Sequence, residues 1–316
     1  MNALAGLVER LRESRGFRHK SDISGVLSRL PEGAQAVPIG DDCAAIPDGD
    51  GYLLFAIEGL VSDFVRAMPW FAGYSGVMVN VSDIYAMGGR PLAVVDALWS
   101  GDAQAASEVL AGMAAASSAY GVPIVGGHSN VRSDGAQLAV AIVGRARKLL
   151  TSFDARPGDA LVMAVDLRGR FEEPYPFWNA SVSAPAGRAR GDYELLPALA
   201  EDGLCDAAKD ISMAGALGTA LMLLECSKAG ARIDLDALPC PEGVDFERWL
   251  TAFPSFGFVL SVRPEQVDEV LARFASRDLA SAVIGEVDAS REVVLTRDGD
   301  AALLWNLHEE PFICAR

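Results

Sequence analysis

Long hydrophobic runs are missing from this sequence: no apolar stretch in its 316 residues reaches the roughly 18 that a membrane-spanning helix requires. Cysteine is sparse as well. The five residues Cys43, Cys205, Cys226, Cys240 and Cys314 lie far apart with no CxxC pair, so a thiolate zinc site has no ligand spacing to build on. An odd count with no export signal fits a reducing cytoplasm. Basic charge is also short. Lys and Arg number 27 against 43 Asp and Glu, leaving a net charge of −16 at pH 7. A field of that sign repels nucleic acid and anionic membrane, and both are set aside as partners. An anionic nucleotide would need metal ions or a local group of basic side chains and backbone amides. Internal repeats and low-complexity tracts are absent too.

What is present is globular material: 51% hydrophobic and 22% charged residues. The length suits two domains of about 150 residues better than one. Met1 to Arg15 reads as an amphipathic helix with Leu4, Leu7, Val8 and Leu11 on one side. Tyr52 to Ile57 reads as a buried strand, Gly73 to Met87 as a helix, and Leu92 to Leu98 as another apolar run. An alanine-rich helix follows at Asp102 to Tyr120, then a strand at Val122 to Val125, a Gly-Gly loop and a strand at Gln137 to Val143. The turn-rich Thr151 to Asp159 is the expected boundary, giving domains 1–150 and 151–316. Beyond it, strands are expected at Ala160 to Val165, Phe256 to Val262 and, as the last core strand, Val283 to Val287. Helices are expected at Tyr193 to Ala200, Ala214 to Ala229 and Pro264 to Phe274. Interleaved strands and helices in both halves predict mixed α/β layers.

Three acidic or glycine-bearing segments carry chemistry. Gly40-Asp41-Asp42-Cys43-Ala44 sets two carboxylates beside apolar residues, where burial demands neutralising cations. Asn80 and Asp83 fall on one helical face at i, i+3. Gly126-Gly127-His128-Ser129-Asn130 places a glycine pair after a strand, which lets backbone approach an anion. Hard oxygen ligands suit Mg²⁺, which bridges carboxylates to phosphates. Each segment alone is weak, since such residues more often form a turn, a cap, a solvated face or a structural contact. Their order and spacing together are much harder to obtain by chance.

These segments resemble the superfamily of aminoimidazole ribonucleotide synthetase, thiamine-monophosphate kinase, selenophosphate synthetase and the hydrogenase maturation carbamoyl dehydratase. GDDCA at Gly40 to Ala44 is similar to the family's GDDAA, and NVSDIYAMGGRP at Asn80 to Pro91 to its N-x-SD-x-AMGA-x-P. GGHSN at Gly126 to Asn130 is similar to GGHT and GGDT, and RPGDALV at Arg156 to Val162 to the phrase opening the second domain. Within the superfamily the chain looks closest to a synthetase-related branch rather than to a named enzyme.

The resemblance implies two α/β domains: a first that contributes strands to a dimeric β-barrel, and a second made of a sheet covered by helices. ATP with Mg²⁺ would lie in the cleft between them, in a homodimer. Asp41 and Asp42 would hold the metal on the phosphates, with Asp83 joining them and Asn80 orienting it or contacting phosphate. Glu58 falls near a metal-binding Asp of relatives, and Asp96 reads as a further ligand or a strand-end cap. His128 stands where the kinase pattern has an acid; imidazole suits Mg²⁺ poorly, so it would contact phosphate or substrate. Asp210 would still reach a metal, although Met213 replaces the usual second acid. Gly215 and Gly218 open a helix whose free N–H groups suit a phosphate. Lys20, in a basic N-terminal segment, would neutralise the triphosphate, and Cys314 is similar to the dehydratase's C-terminal cysteine. The implied chemistry is γ-phosphoryl transfer or cleavage that activates a small amide or amine, with a small-molecule kinase or a nucleotide-binding subunit without turnover as alternatives. The aromatic, proline-bearing Arg168 to Arg190 reads as the acceptor-substrate loop, with Trp178, Asn179 and Arg188 facing substrate, or else as rings packing the loop onto the second domain.

Overall fold

The computed structural model describes residues 3–27, 29 and 37–313. The chain forms two compact units, each with its own sheet. One gathers Asp42–Leu149 and Val182–Ala198; the other gathers Met1–Asp41, Leu150–Ser181 and Leu199–Arg316. The single boundary expected near residue 150 is therefore one of several crossings. The physical reason at the N-terminus is burial. The apolar stripe Leu4, Leu7, Val8 and Leu11 of α1 (Ala3–Glu13) joins the core of the second half, and α2 (Arg15–Leu27) follows it there through Phe17. The Phe17 ring lies 5.5 Å from that of Phe312 and 6.5 Å from that of Trp305.

The five-stranded unit runs β1 (Ala44–Asp48), β2 (Gly51–Leu60), α3 (Ser62–Ala67), α4 (Pro69–Ala86), β3 (Arg90–Trp99), α5 (Ala103–Tyr120), β4 (Ile124–Asn130) and β5 (Gln137–Ala146). A short α6 (Arg188–Tyr193), from further along the chain, completes it. Its sheet order is β1-β2-β5-β3-β4, parallel only at the β3–β4 edge. Helix α4 packs on the sheet and on α5 at glycine range: a Cβ on Gly73 would sit 1.9 Å from the Val109 carbonyl oxygen, and one on Gly112 1.8 Å from that of Trp70. Asp102 caps α5, accepting from the Ala105 N–H at 2.8 Å, and Gly121 ends it in the left-handed region. Tyr52 to Ile57 is a strand as expected, but it is buried on one face only. Leu54 and Ala56 face the helices, whereas Phe55 is 50% exposed and Ile57 65%.

In the seven-stranded unit α7 (Leu195–Glu201) enters from the other unit, and the sheet order is β15-β14-β10-β13-β6-β12-β9. Those strands are β6 (Ala160–Val165), β9 (Ala207–Asp210), β10 (Gly230–Asp234), β12 (Gly257–Val262), β13 (Ala280–Asp288), β14 (Glu292–Arg297) and β15 (Asp300–Asn306). The expected last core strand, β13, is thus followed by a β14–β15 hairpin turned by Asp298 and Gly299, both at positive φ. Helix α8 (Gly215–Cys226) is buried along its whole length, and α9 (Phe246–Leu250) and α10 (Val267–Ala275) add to the cover. The expected loop at Arg168 to Arg190 is mostly irregular, with three short elements in it. It supplies β7 (Arg170–Phe171) and β8 (Phe177–Asn179), the latter central in a third small sheet between β7 and β11 (Phe253–Pro254), and then the start of α6 of the other unit.

Candidate metal and nucleotide site

Helix α4 is buried from Phe71 to Ala86, so polar residues inside it require a reason. Asn80 donates from Nδ2 to the Gly76 carbonyl at 2.8 Å. Its Oδ1 is buried and, among the described residues, accepts no hydrogen bond. Leaving a buried acceptor so costs about 1–3 kcal/mol, which a cation or donor supplied by a ligand would recover. Asp83, one helical turn on, is also buried, and Asp42 at the entry to β1 brings a carboxylate oxygen within 4.8 Å of it. Two carboxylates at that range repel unless a cation or proton is shared. An all-oxygen donor set of this kind fits Mg²⁺.

Asp41 and Glu58, also expected as ligands, stand outside the grouping that holds Asp42 and Asp83. Asp41 lies with the seven-stranded unit, its side chain wholly buried. Oδ2 accepts from the Ser152 N–H at 2.7 Å and Oδ1 from the Ser152 hydroxyl at 2.6 Å, with Lys209 Nζ at 3.7 Å. Expected as a metal ligand, Asp41 is instead engaged by protein donors and does not share the Asp42–Asp83 grouping. Gly40 precedes it with φ 133°. Glu58, exposed and in register with Val140 at the far end of β2, also stands outside that grouping. Asp210 ends β9, buried in the seven-stranded unit, where its carbonyl accepts from the Thr219 hydroxyl at 3.3 Å. Lys20 lies half-buried on α2, a helix rather than a loop.

The Gly-Gly loop expected before His128 is part of strand β4. There a Cβ on Gly127 would lie 2.2 Å from Asp96 Oδ1, so this glycine makes room for a neighbouring strand's side chain. Gly126 and His128 are exposed on the same edge strand, the imidazole 6.1 Å from the Trp99 ring. Trp178 is a core residue, which fits the packing alternative of its two expected roles and not the substrate-facing one. Its indole N–H donates to the Asp166 carbonyl at 2.9 Å, and its ring meets Phe171 and Trp249 edge-on at 5.2 Å. Asn179 is likewise buried, donating to Glu172 Oε1 at 2.7 Å and accepting from the Ser181 N–H. Arg188 lies in the other unit, on α6, its Nε 3.8 Å from Asp192. Cys314 lies outside the described residues. Burial pushes the Cys205 thiol up to about 12, which removes it as a nucleophile near neutral pH.

Sequence reasoning missed Lys209, the ion-pair partner of Asp41, and Ser152, its hydrogen-bond donor. The available signal was a lysine inside the apolar strand Ala207-Ala208-Lys209-Asp210-Ile211, where an unpaired ammonium is too costly to bury.

Residues 40–146 match the model of the AIR synthase related protein N-terminal domain, and residues 188–298 match that of the C-terminal domain. The chain belongs to the AIR synthase related family. It is 48% identical over 313 residues to uncharacterized protein sll0787 of Synechocystis sp., covering 98% of this chain and 97% of that one. Protein MJ0640 of Methanocaldococcus jannaschii is 33% identical, covering 88% and 87%. Selenide, water dikinase of Myxococcus xanthus is 27% identical, covering 86% and 90%. Among solved structures, Thermotoga maritima PurL complexed with ATP superposes with a TM-score of 0.77 at 21% identity, covering 97% of this chain and 52% of that one. AaThiL complexed with AMPPCP and TMP superposes with a TM-score of 0.66 at 22% identity, covering 83% and 88%. The chain thus spans about half the length of the PurL chain it matches, and at these identities the likeness shows the shared α/β fold. Members of the family are ATP-using enzymes.

Proposed function

We propose that the protein is a Mg²⁺-dependent, ATP-using enzyme that transfers or cleaves the γ-phosphate to activate a small amide- or amine-type substrate. The observation that carries this reading is the convergence of Asp42 and Asp83 beside the unsatisfied buried Oδ1 of Asn80. In this reading Asp42 and Asp83 hold the metal, Asn80 fixes Asp83 or a metal-bound water, and Asp210 contributes a further carboxylate. Glu58 acts at longer range, and Lys20 and His128 meet phosphate. When bound, the metal neutralises charge on the phosphates and polarises the γ-phosphoryl group. The protein's own part is to position: buried carboxylates on a rigid helix and a strand end hold that charge without reorganising. Among acceptor-facing candidates Arg188 is retained, and the protein acts as a cytoplasmic homodimer. A kinase reading is the second possibility, supported by the near full-length similarity to selenide, water dikinase.

The test is ligand-dependent stability. At about 100 times Kd, Mg-ATP should add about 2.7 kcal/mol to the native state. Asp42→Asn and Asp83→Asn should each abolish most of that gain while the ligand-free protein keeps its melting temperature; Glu58→Gln should weaken it less. Either carboxamide variant binding Mg-ATP like the parent would refute the metal assignment. ADP and phosphate release with candidate amide, amine and hydroxyl acceptors would then separate ligase from kinase chemistry.

A further inference from the structure

Lys209 is buried on β9, with Nζ 3.7 Å from Oδ1 of Asp41, whose side chain is wholly out of solvent. The Ser152 N–H and hydroxyl also donate to that carboxylate, at 2.7 and 2.6 Å. The Ser152 carbonyl in turn accepts from the Ser227 hydroxyl at 2.7 Å, tying the turn to the end of α8. Three chain segments distant in sequence therefore meet at one carboxylate inside a single unit. Buried ion pairs of this kind add little net stability, because desolvation offsets the attraction, and their best-attested use is to fix register. The register here has a specific content. Asp41 immediately precedes Asp42, and Lys209 immediately precedes Asp210. Each partner of the pair is thus one peptide away from a carboxylate proposed above as a metal ligand.

We infer that Lys209, with Ser152, is a positioning residue: it clamps Asp41 to β9 and so fixes the backbone that presents Asp42 to metal-bound nucleotide. The inference rests on the metal-nucleotide reading above. Within it, Asp41 is not a ligand. It is the group through which Lys209 sets the ligand's place, as outer hydrogen-bond partners do for metal-binding side chains elsewhere.

The test measures metal affinity rather than turnover. The full chain is titrated with Mn²⁺ in the presence of a non-hydrolysable ATP analogue, and free Mn²⁺ is read by its EPR signal at a temperature where circular dichroism shows each variant folded. Lys209→Met should weaken Mn²⁺ binding by about 10- to 100-fold, the range for loss of an outer-sphere partner. Ser152→Ala, which leaves both charges in place, should weaken it less but measurably, and decides the matter by the same readout if Lys209→Met does not fold. A folded Lys209→Met that binds Mn²⁺ as the parent does would reduce the pair to architecture and overturn the inference. Tighter binding would overturn it too, by showing that Asp41 is a ligand which Lys209 holds back. A parent protein that takes up no Mn²⁺ with the nucleotide would instead bring down the functional reading itself, and this inference with it.

Discussion

In the seven-stranded sheet, β6 and β12 are buried on both faces, whereas the five-stranded sheet has helices on one face and water on the other. On that second face the register lines up Ile46, Phe55, Ile57 and Val95, each at least 41% exposed. Parity accounts for the difference. Strands covered on both sides read as unbroken apolar runs, and β12, Gly257 to Val262, is one. Strand β2 has the same apolar composition but only one internal cover, so half of its side chains stand ready for a partner. Contiguous exposed apolar faces mark interaction surfaces, and this face is where the homodimer proposed above would be tested.

The largest expected effect that separates the two regions is Trp178→Ala. Trp178 sits in the core of the seven-stranded unit with its N–H satisfied, so truncation should cost about 3–5 kcal/mol. Urea denaturation followed by circular dichroism measures it. A cost below about 1 kcal/mol, with altered acceptor dependence, would return the ring to the substrate-facing role.

Next comes Ile57→Asp on the open face. The side chain is exposed within its own unit, so the isolated fold should change by no more than about 0.5 kcal/mol. The proposed dimer should nevertheless dissociate, because a carboxylate in an apolar interface is left unpaired. Light scattering at micromolar concentration distinguishes the outcomes. A parent protein that is already monomeric would remove the partner from the comparison.

Much of the fold was legible because its signals are local. The stripe Leu4, Leu7, Val8, Leu11 predicts α1 and is buried as one face. Asp102 and Gly121 mark the ends of α5, although α4 starts at Pro69, four residues before the expected Gly73. The β14–β15 hairpin was also written locally, as Arg297-Asp298-Gly299-Asp300 between two apolar runs, a strong hairpin signal left unread. Other errors share a cause that no local pattern reveals. Whether an apolar run such as Tyr52 to Ile57 is covered on one face or two depends on what packs above it. Whether Trp178 faces a ligand or Trp249 depends on a sheet closed by Phe253, 75 residues away in the chain, and the same holds for Asp41. Its Asp-Asp motif announces charge, but the ammonium that meets it comes from position 209. Of the candidate site, Asn80 and Asp83 were readable from spacing, since i, i+3 on a helix fixes a shared face, and Asp42 from the paired carboxylates after Gly40.

The smallest expected effect concerns Asp96, and it contrasts the buried charges of the two units. In the larger unit Asp159 is well supplied: the Ser261 hydroxyl donates at 2.6 Å, the Arg156 N–H at 3.0 Å, and Arg263 pairs with it. In the smaller unit Asp96 lies on the face of β3 that also carries Val94 and Leu98. Its Oδ1 is pressed beside Gly127, and its Oδ2 is buried with no hydrogen-bond partner among the described residues. Burial raises its pKa, only partly opposed by its own backbone N–H. The sign follows: a carboxyl whose folded value lies above its unfolded one stabilises the native state below the unfolded value, and that contribution is lost as pH rises through the folded value. Asp96→Asn removes the penalty, so it should raise the melting temperature by roughly 1–3 °C at neutral pH. The advantage should vanish below about pH 4, where the native Asp is protonated in both states. Scanning calorimetry of both proteins at several pH values reads the difference directly. A variant less stable than the parent at pH 7 would mean that the Asp96 charge is compensated after all, and the two units would then treat their buried carboxylates alike.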